Sequence, residues 1–555
     1  MQAKLNPDDY IDDGFRPDTR DWQGREDELV QLEGWLAEPS VQLVGIKAAG
    51  GFGKSALAKK LVERLAKTRD GERTGPEQGE AAGFDKTLAL TFGQAYPFAL
   101  WGRWLMAHFG QRVEDSVGDG RLAQRVVKQL QGVRCLLILD NVETLLAADN
   151  RQWLDAGYGR FWLGWLSEPG QSVVLVTSRE EPDVANNLRR FCQWLPLTGL
   201  DTQPGIALLR SLGVMGDRQV LDEFVTLADG HPLLLKLAAG WLMVEEPDEP
   251  DIEYLKKANG LNVFGLVGAH RGQPETTVQE ILEATLGRLP GQMAALLPGL
   301  SVYRLPFSQA AAVAMAPETE AETEHVTVEA LRKLVKRSLL QEKRQSVEGK
   351  RVWLFWFQPL VQRYLQQRAD SGVHRRAIEY YQRMSNVLAA TGDVEASVEA
   401  TVPYREIFHH YCELGQYASA LTTIRMPSNE AERYSSCDMV LQLSGYNPIR
   451  LALYERLVGQ WQPTDDTEKD LFANTLKAQG DVLQFLDRRD EALENYEQAL
   501  GIYRQVGARL GEANTLKAQG DVLQFLKRSS EALENYEQAL GIYRQVGARL
   551  GEANT

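Results

Sequence analysis

The residues best placed for chemistry lie in VQLVGIKAAGGFGKSALAKKLVERL, residues 41–65. An apolar run of strand length enters a glycine-rich turn, Gly50, Gly51, Phe52 and Gly53, and leaves through Lys54, Ser55 and Ala56 into a helical pattern. Glycines let successive backbone N–H groups curl around an anion, and the start of a helix adds partial positive charge. That arrangement holds a nucleoside triphosphate, with Lys54 reaching the β- and γ-phosphates and the Ser55 hydroxyl ligating Mg²⁺. The usual spacing opens with a glycine where this chain has Ala48, a modest departure because three glycines remain.

Two further stretches supply the rest of a phosphoryl-transfer site. CLLILDNVETLL (135–146) ends an apolar run on Asp140, placed to hold Mg²⁺ through water. The next position, where an acidic residue would activate water, is Asn141, which takes no proton. Glu143 is the nearest substitute, so hydrolysis is expected to be slow. SVVLVTSRE (172–180) carries Arg179 just past another apolar run, where a cation senses a γ-phosphate. Lys54, Asp140, Glu143 and Arg179 are therefore the candidate catalytic set, with ATP or ADP and Mg²⁺ as cofactors.

These residues need a rigid sheet behind them. VQLVGI (41–46), TLALTF (87–92), CLLILD (135–140) and SVVLVTS (172–178) are continuous apolar runs, as in strands buried on both faces of a parallel sheet. Helical patterns between them give a βαβ order and an α/β domain over 21–198, after a leader at 1–20. Residues 199–275 read as a helical domain. In 276–370 helices give way to a strand pair around SLLQEK and RVWLFWF, an order that suits a winged helix. Residues 371–465 are a helical linker. From 466 to 555 the chain repeats itself: residues 474–513 reappear at 514–553, a period of 40, with changes only at Asp487/Lys527, Arg489/Ser529 and Asp490/Ser530. Each unit reads as two helices. Gly480, Ala492 and Ala499 permit close approach and Tyr496 fills the gap beside them. The spacing resembles the tetratricopeptide repeat in a longer form, and YCELGQYASALTTI (411–424) resembles a degenerate copy. The chain stops two residues into a further unit, so continuation beyond Thr555 is an expectation. The whole reads as a multidomain chain: α/β P-loop NTPase domain, helical domain, winged helix, then an α-solenoid of helical hairpins.

Composition narrows the function. Hydrophobic residues make up 44% and charged residues 25%, an ordinary globular balance. The 76 acidic against 61 basic residues give a formal charge of −15, which disfavours nucleic acid as a partner in bulk. Cys135, Cys192, Cys412 and Cys437 lie far apart with no metal-binding spacing. The N-terminus lacks a signal-peptide pattern, and no apolar run reaches the ~18 residues of a membrane span, so a cytoplasmic location without membrane attachment is expected.

The motifs, in this order, resemble the NB-ARC branch of the STAND NTPases over residues 20–370. GREDELVQLEGWL (24–36) resembles the family's entry motif, whose arginine lies near the adenine, so the resemblance implies that role for Arg25. KAAGGFGKSALA, LLILDN and LVTSRE resemble its phosphate loop, metal strand and sensor strand. GHPLLLKLAA (230–239) resembles its GLPLAL motif, implying that Pro232 packs on the nucleotide. In FWFQPLVQRYL (355–365), Gln358 stands where the family has an ADP-locking histidine, and glutamine cannot become cationic. The resemblance implies a switch: a closed monomer with ADP, and an open ATP state that assembles as a homo-oligomer. A protein or peptide ligand on the repeats would trigger it. About 20 residues precede Gly24, fewer than an effector domain needs, so an effector would be a partner or a segment absent from this chain. A transcription regulator using RKLVKRSLLQEKR (332–344), and less favourably a continuous ATPase motor, are the alternatives.

Overall fold

The computed structural model describes residues 15, 17–69, 84–92, 96–114, 117–147, 151–168, 170–256, 263–269, 274–287, 289–316, 326, 328–347, 350–390, 399–425 and 436–555. Most of the leader, residues 1–14 and 16, lies outside them. The chain forms two compact units, Met1–Tyr96 with Gln124–Val373, and Pro97–Ala123 with His374–Thr555.

The first unit is built on a five-stranded sheet of β1 (Leu43–Lys47), β2 (Lys86–Thr91), β3 (Cys135–Asp140), β4 (Val173–Ser178) and β5 (Cys192–Pro196). The order is β2-β3-β4-β1-β5 and every pairing is parallel. All residues of β3 and β4 are buried, as continuous apolar runs require. β5, at one edge, escapes a hydrophobicity reading because CQWLP is mixed and only Leu195 is buried; β2, at the other edge, also buries a single residue, Leu88, but keeps an apolar run. Helices Glu26–Ala37 and Lys54–Arg69 cover one face, packing Leu29, Leu32, Leu36, Leu57 and Leu61 onto Val44, Ile46, Leu136 and Ile138. Pairing aligns Thr91 with Asp140 and Lys47 with Ser178, so the polar strand ends fall together at the carboxyl end of the sheet.

Helices Thr202–Ser211, Arg218–Leu227 and Pro232–Glu245 follow, then Val263–Ala269 and Pro274–Gly287. A small antiparallel sheet comes next: β6 (Phe307–Ser308), β7 (Gln341–Val347) and β8 (Lys350–Trp356), ordered β6-β8-β7. Helices Gly291–Ser301, Val328–Lys336 and Pro359–Gln366 belong to the same stretch. The helix Pro232–Glu245 touches the turn before β7. Ser338 donates its hydroxyl to the Lys236 carbonyl at 3.1 Å, and a Cβ on Gly240 would lie 2.7 Å from the Arg337 carbonyl carbon.

The second unit is helical. Hairpins Val402–Glu413/Tyr417–Arg425, Cys437–Leu443/Asn447–Gln460, Asp466–Phe485/Arg489–Val506 and Arg509–Phe525/Ser529–Val546 succeed one another, and the degenerate copy 411–424 falls on the first. In the repeated pair, a Cβ on Gly480 would sit 2.6 Å from the Tyr496 ring, and one on Gly520 2.7 Å from Tyr536. Phe98–His108, read within the sheet domain at 21–198, packs instead against Asn447–Gln460. It is apolar over most of its surface, with Phe98, Trp101, Leu105 and Met106 buried. The adjacent His409 and His410 have separate polar partners. His410 is fully buried with its Nδ1 3.1 Å from that of His374, while His409 Nδ1 is 2.7 Å from Arg456. All four cysteines are free, and burial pushes the Cys135 thiol up to about 12. No helix among the described residues is long and apolar enough to cross a membrane.

Candidate phosphate-binding site

The loop Gly50–Gly53 leaves the carboxyl end of β1 and runs into the helix starting at Lys54. Gly51 has φ +88° and Gly53 φ +92°, a left-handed conformation that disfavours any side chain. Lys54 is buried and its ammonium donates to the Ala48 carbonyl at 2.8 Å and the Ala49 carbonyl at 3.1 Å, which curls the loop over the head of the helix. Ser55 and Ala56 complete the first turn.

Asp140, at the end of β3, is wholly enclosed and accepts three hydroxyls. Ser55 Oγ donates to Oδ1 at 2.6 Å, Thr177 Oγ1 to the same oxygen, and Thr91 Oγ1 to Oδ2 at 3.2 Å. Burial raises its carboxyl above the ordinary range, the Glu143 charge adds to that, and the three hydroxyls oppose it. The Ser55 hydroxyl and a carboxylate together form an all-oxygen donor pair that suits a hard cation such as Mg²⁺. Thr91 and Thr177 escape a motif reading, although each is a hydroxyl at the end of a strand flanking β3.

Asn141 adopts the left-handed region (φ 61°), which asparagine tolerates, and its N–H donates to Thr177 Oγ1 at 3.0 Å. The chain then turns through Val142–Leu145 and brings Glu143 back to Arg179. Arg179 Nε lies 3.4 Å from Glu143 Oε1 and the Arg179 N–H donates to Oε2 at 3.3 Å. The candidate base and the candidate phosphate sensor are thus paired with each other.

Pro232 occupies the first turn of Pro232–Glu245, where its missing N–H costs nothing. The residue before it, His231, touches the loop: its Nε2 is 3.0 Å from the Gly50 carbonyl, and its ring meets Phe52 edge-on at 4.5 Å. Sequence reading missed it because histidine before a proline looks like a turn. Arg25 is buried at φ 71° and donates to the Thr198 carbonyl at 2.6 Å and to Glu28 at 2.7 Å. It clamps the first helix onto the chain just after β5. Gln358 is the residue before the helix Pro359–Gln366, and among the described residues its side chain makes no hydrogen bond. The structure thus joins the loop, Lys54, Ser55 and Asp140, and separately Glu143 and Arg179. It brings neither Arg25 nor Gln358 into hydrogen bonding with the loop.

Residues 471–545 match the tetratricopeptide repeat family. The match begins within the helix Asp466–Phe485 and ends within Ser529–Val546. Over 376 residues the chain is 26% identical to an uncharacterized WD repeat-containing protein of Nostoc sp., covering 64% of this chain and 27% of that protein. The chain therefore spans about a quarter of that curated relative's length. Among solved structures it is similar to a Signal Transduction ATPase with Numerous Domains (STAND) protein with a tetratricopeptide repeat sensor from Pyrococcus horikoshii. That match has a TM-score of 0.43 at 14% identity, over 98% of this chain and 80% of that one. It is also similar to domain III of the Thermotoga maritima replication initiation protein DnaA, at TM-score 0.27 and 14% identity, over 42% of this chain and 90% of that one.

Proposed function

We propose that this chain is a nucleotide-dependent switch that binds ATP and ADP at Gly50–Ala56 and hydrolyses ATP slowly. The observation that carries the reading is the 2.6 Å contact between the Ser55 hydroxyl and the buried Asp140 carboxylate, directly beside a left-handed glycine loop and a buried lysine. Gly51 and Gly53 free the loop amides, Lys54 neutralises the phosphates, and Ser55 with Asp140 holds Mg²⁺. The metal supplies charge neutralisation on the phosphate oxygens when bound. Slow turnover follows from Asn141 beside Asp140 and from Glu143 having both carboxylate oxygens engaged by Arg179 rather than turned to a water. The switch reading extends to a cytoplasmic protein of the NB-ARC type. ADP closes a monomer across the helical and winged-helix segments, Gln358 stands at the locking position, and a ligand on the tetratricopeptide repeats releases it to assemble.

The test is to denature the purified protein and separate the released nucleotide by chromatography. About one ADP per chain is expected, and none from Lys54→Ala. If no nucleotide is released, and neither ATP nor ADP binds on titration, the reading fails.

A further inference from the structure

The phosphate loop is held from outside by a residue that the nucleotide reading does not use. His231 caps the helix Pro232–Glu245, accepting the Leu234 N–H on Nδ1 at 3.2 Å. A nitrogen that accepts carries no proton, so the ring hydrogen sits on Nε2. Nε2–H then donates to the Gly50 carbonyl at 3.0 Å. One buried side chain thus makes two bonds, one back to its own helix and one across to the loop.

The second bond controls more than a carbonyl. In a trans peptide the C=O of residue 50 and the N–H of residue 51 point opposite ways in one plane. Holding the Gly50 oxygen on His231 fixes the Gly51 N–H away from His231. The next plane is held too, because the Leu233 N–H lies 3.4 Å from the Gly51 carbonyl. A Cβ on Gly51 would sit 2.6 Å from His231 Cε1, so the loop meets the ring at full contact. Phe52 closes the other side of the ring. Two successive loop amides therefore take their direction from the start of this helix, and the same helix meets the turn at Arg337 and Ser338 one to two turns later.

We propose that His231 is a positioning residue that sets the phosphate loop in its binding shape and couples loop occupancy to the helix Pro232–Glu245. This rests on the nucleotide reading above. Released from His231, the Gly50–Gly51 peptide rotates freely, and affinity falls by the fraction of loops left in the binding shape.

The two bonds can be separated by substitution. Asparagine places Oδ1 as many bonds from Cα as His Nδ1, so His231→Asn keeps the cap and loses the reach to Gly50. Glutamine places Nε2 as many bonds from Cα as His Nε2, so His231→Gln keeps the bond to the loop and loses the cap. ADP titrations on the full chain, with amide exchange read over residues 49–53, test the pair. Asparagine is expected to weaken ADP about tenfold and speed exchange of the loop amides, with glutamine within about twofold of wild type. Equal affinity in all three proteins, or equal losses in both variants, overturns the positioning role and leaves the nucleotide reading standing. A wild-type chain that binds no ADP overturns both.

Discussion

At the scale of single residues the most consequential side chain is Asp140. Its carboxyl is buried, and burial outweighs the three hydroxyls that favour the charged form. The folded-state value is raised above the ordinary 3.8, so the ionised group opposes folding at neutral pH. That opposition is relieved as pH falls through the raised value and is gone below 3.8. Replacing the carboxylate by an amide keeps acceptors for Ser55 and Thr177 and removes the charge. Nucleotide-free Asp140→Asn is therefore expected to melt several degrees above wild type at pH 7, with the gap closing as pH falls toward 4, while Mg²⁺-dependent hydrolysis is lost. Calorimetry across that range checks it, and a variant less stable than wild type at pH 7 would mean the charge is already compensated. A site that trades stability for a buried charge is what a metal-binding role demands.

At the scale of elements, the duplicated hairpins provide a control within one chain. Gly480 and Gly520 occupy the same place in the same local sequence, each against a tyrosine ring. Tyr496 is fully buried, whereas Tyr536 in the last hairpin is only partly so. A methyl at Gly480 has no room to be accommodated and is expected to cost about 2 kcal/mol by overpacking. At Gly520 the ring can yield, so Gly520→Ala is expected to cost less than half as much. Urea unfolding of the two variants compares them, and equal losses would show that the last hairpin is as rigid as its neighbour.

The same contrast explains what is legible in a sequence. Of the four parallel strands that stand out, β1, β3 and β4 do so because burial on both faces demands unbroken apolar runs, whereas β2, an edge strand with only Leu88 buried, stands out through the run TLALTF alone. The edge strand β5 carries no such demand and hides. That the loop, Lys54, Ser55 and Asp140 come together is legible because a glycine-rich turn after one apolar run and a carboxylate ending another both show in the sequence. Thr91, Thr177 and His231 are not, because their roles arise from register and packing between segments far apart in sequence. The Glu143–Arg179 pair is intermediate: both residues stand out, but that they neutralise each other appears only in three dimensions.

At the scale of the whole molecule, charge decides between readings. The best basic run, 332–344, is partly engaged within its own segment, while Lys336 and Lys343 are exposed. Arg332 meets Glu342 at 3.1 Å and lies over the Trp353 ring, and Lys333 is 3.9 Å from Glu329. With a formal charge of −15 behind it, the purified chain is expected to pass through a duplex-DNA column at physiological salt. Retention that falls steeply with added salt would restore the transcription-regulator alternative.

The segment 97–123 has a consequence for heredity. It sits between β2 and β3 in the chain yet belongs with the helices of the C-terminal unit. Shuffling by a single crossover near residue 373 would hand the tetratricopeptide repeats to a new host without the helix that packs on Asn447–Gln460. It would also leave that helix behind, with Phe98, Trp101, Leu105 and Met106 buried in it, parted from Asn447–Gln460. Duplication has copied one repeat whole, as the two near-identical units attest, but the segment that packs on Asn447–Gln460 must be inherited together with its insertion.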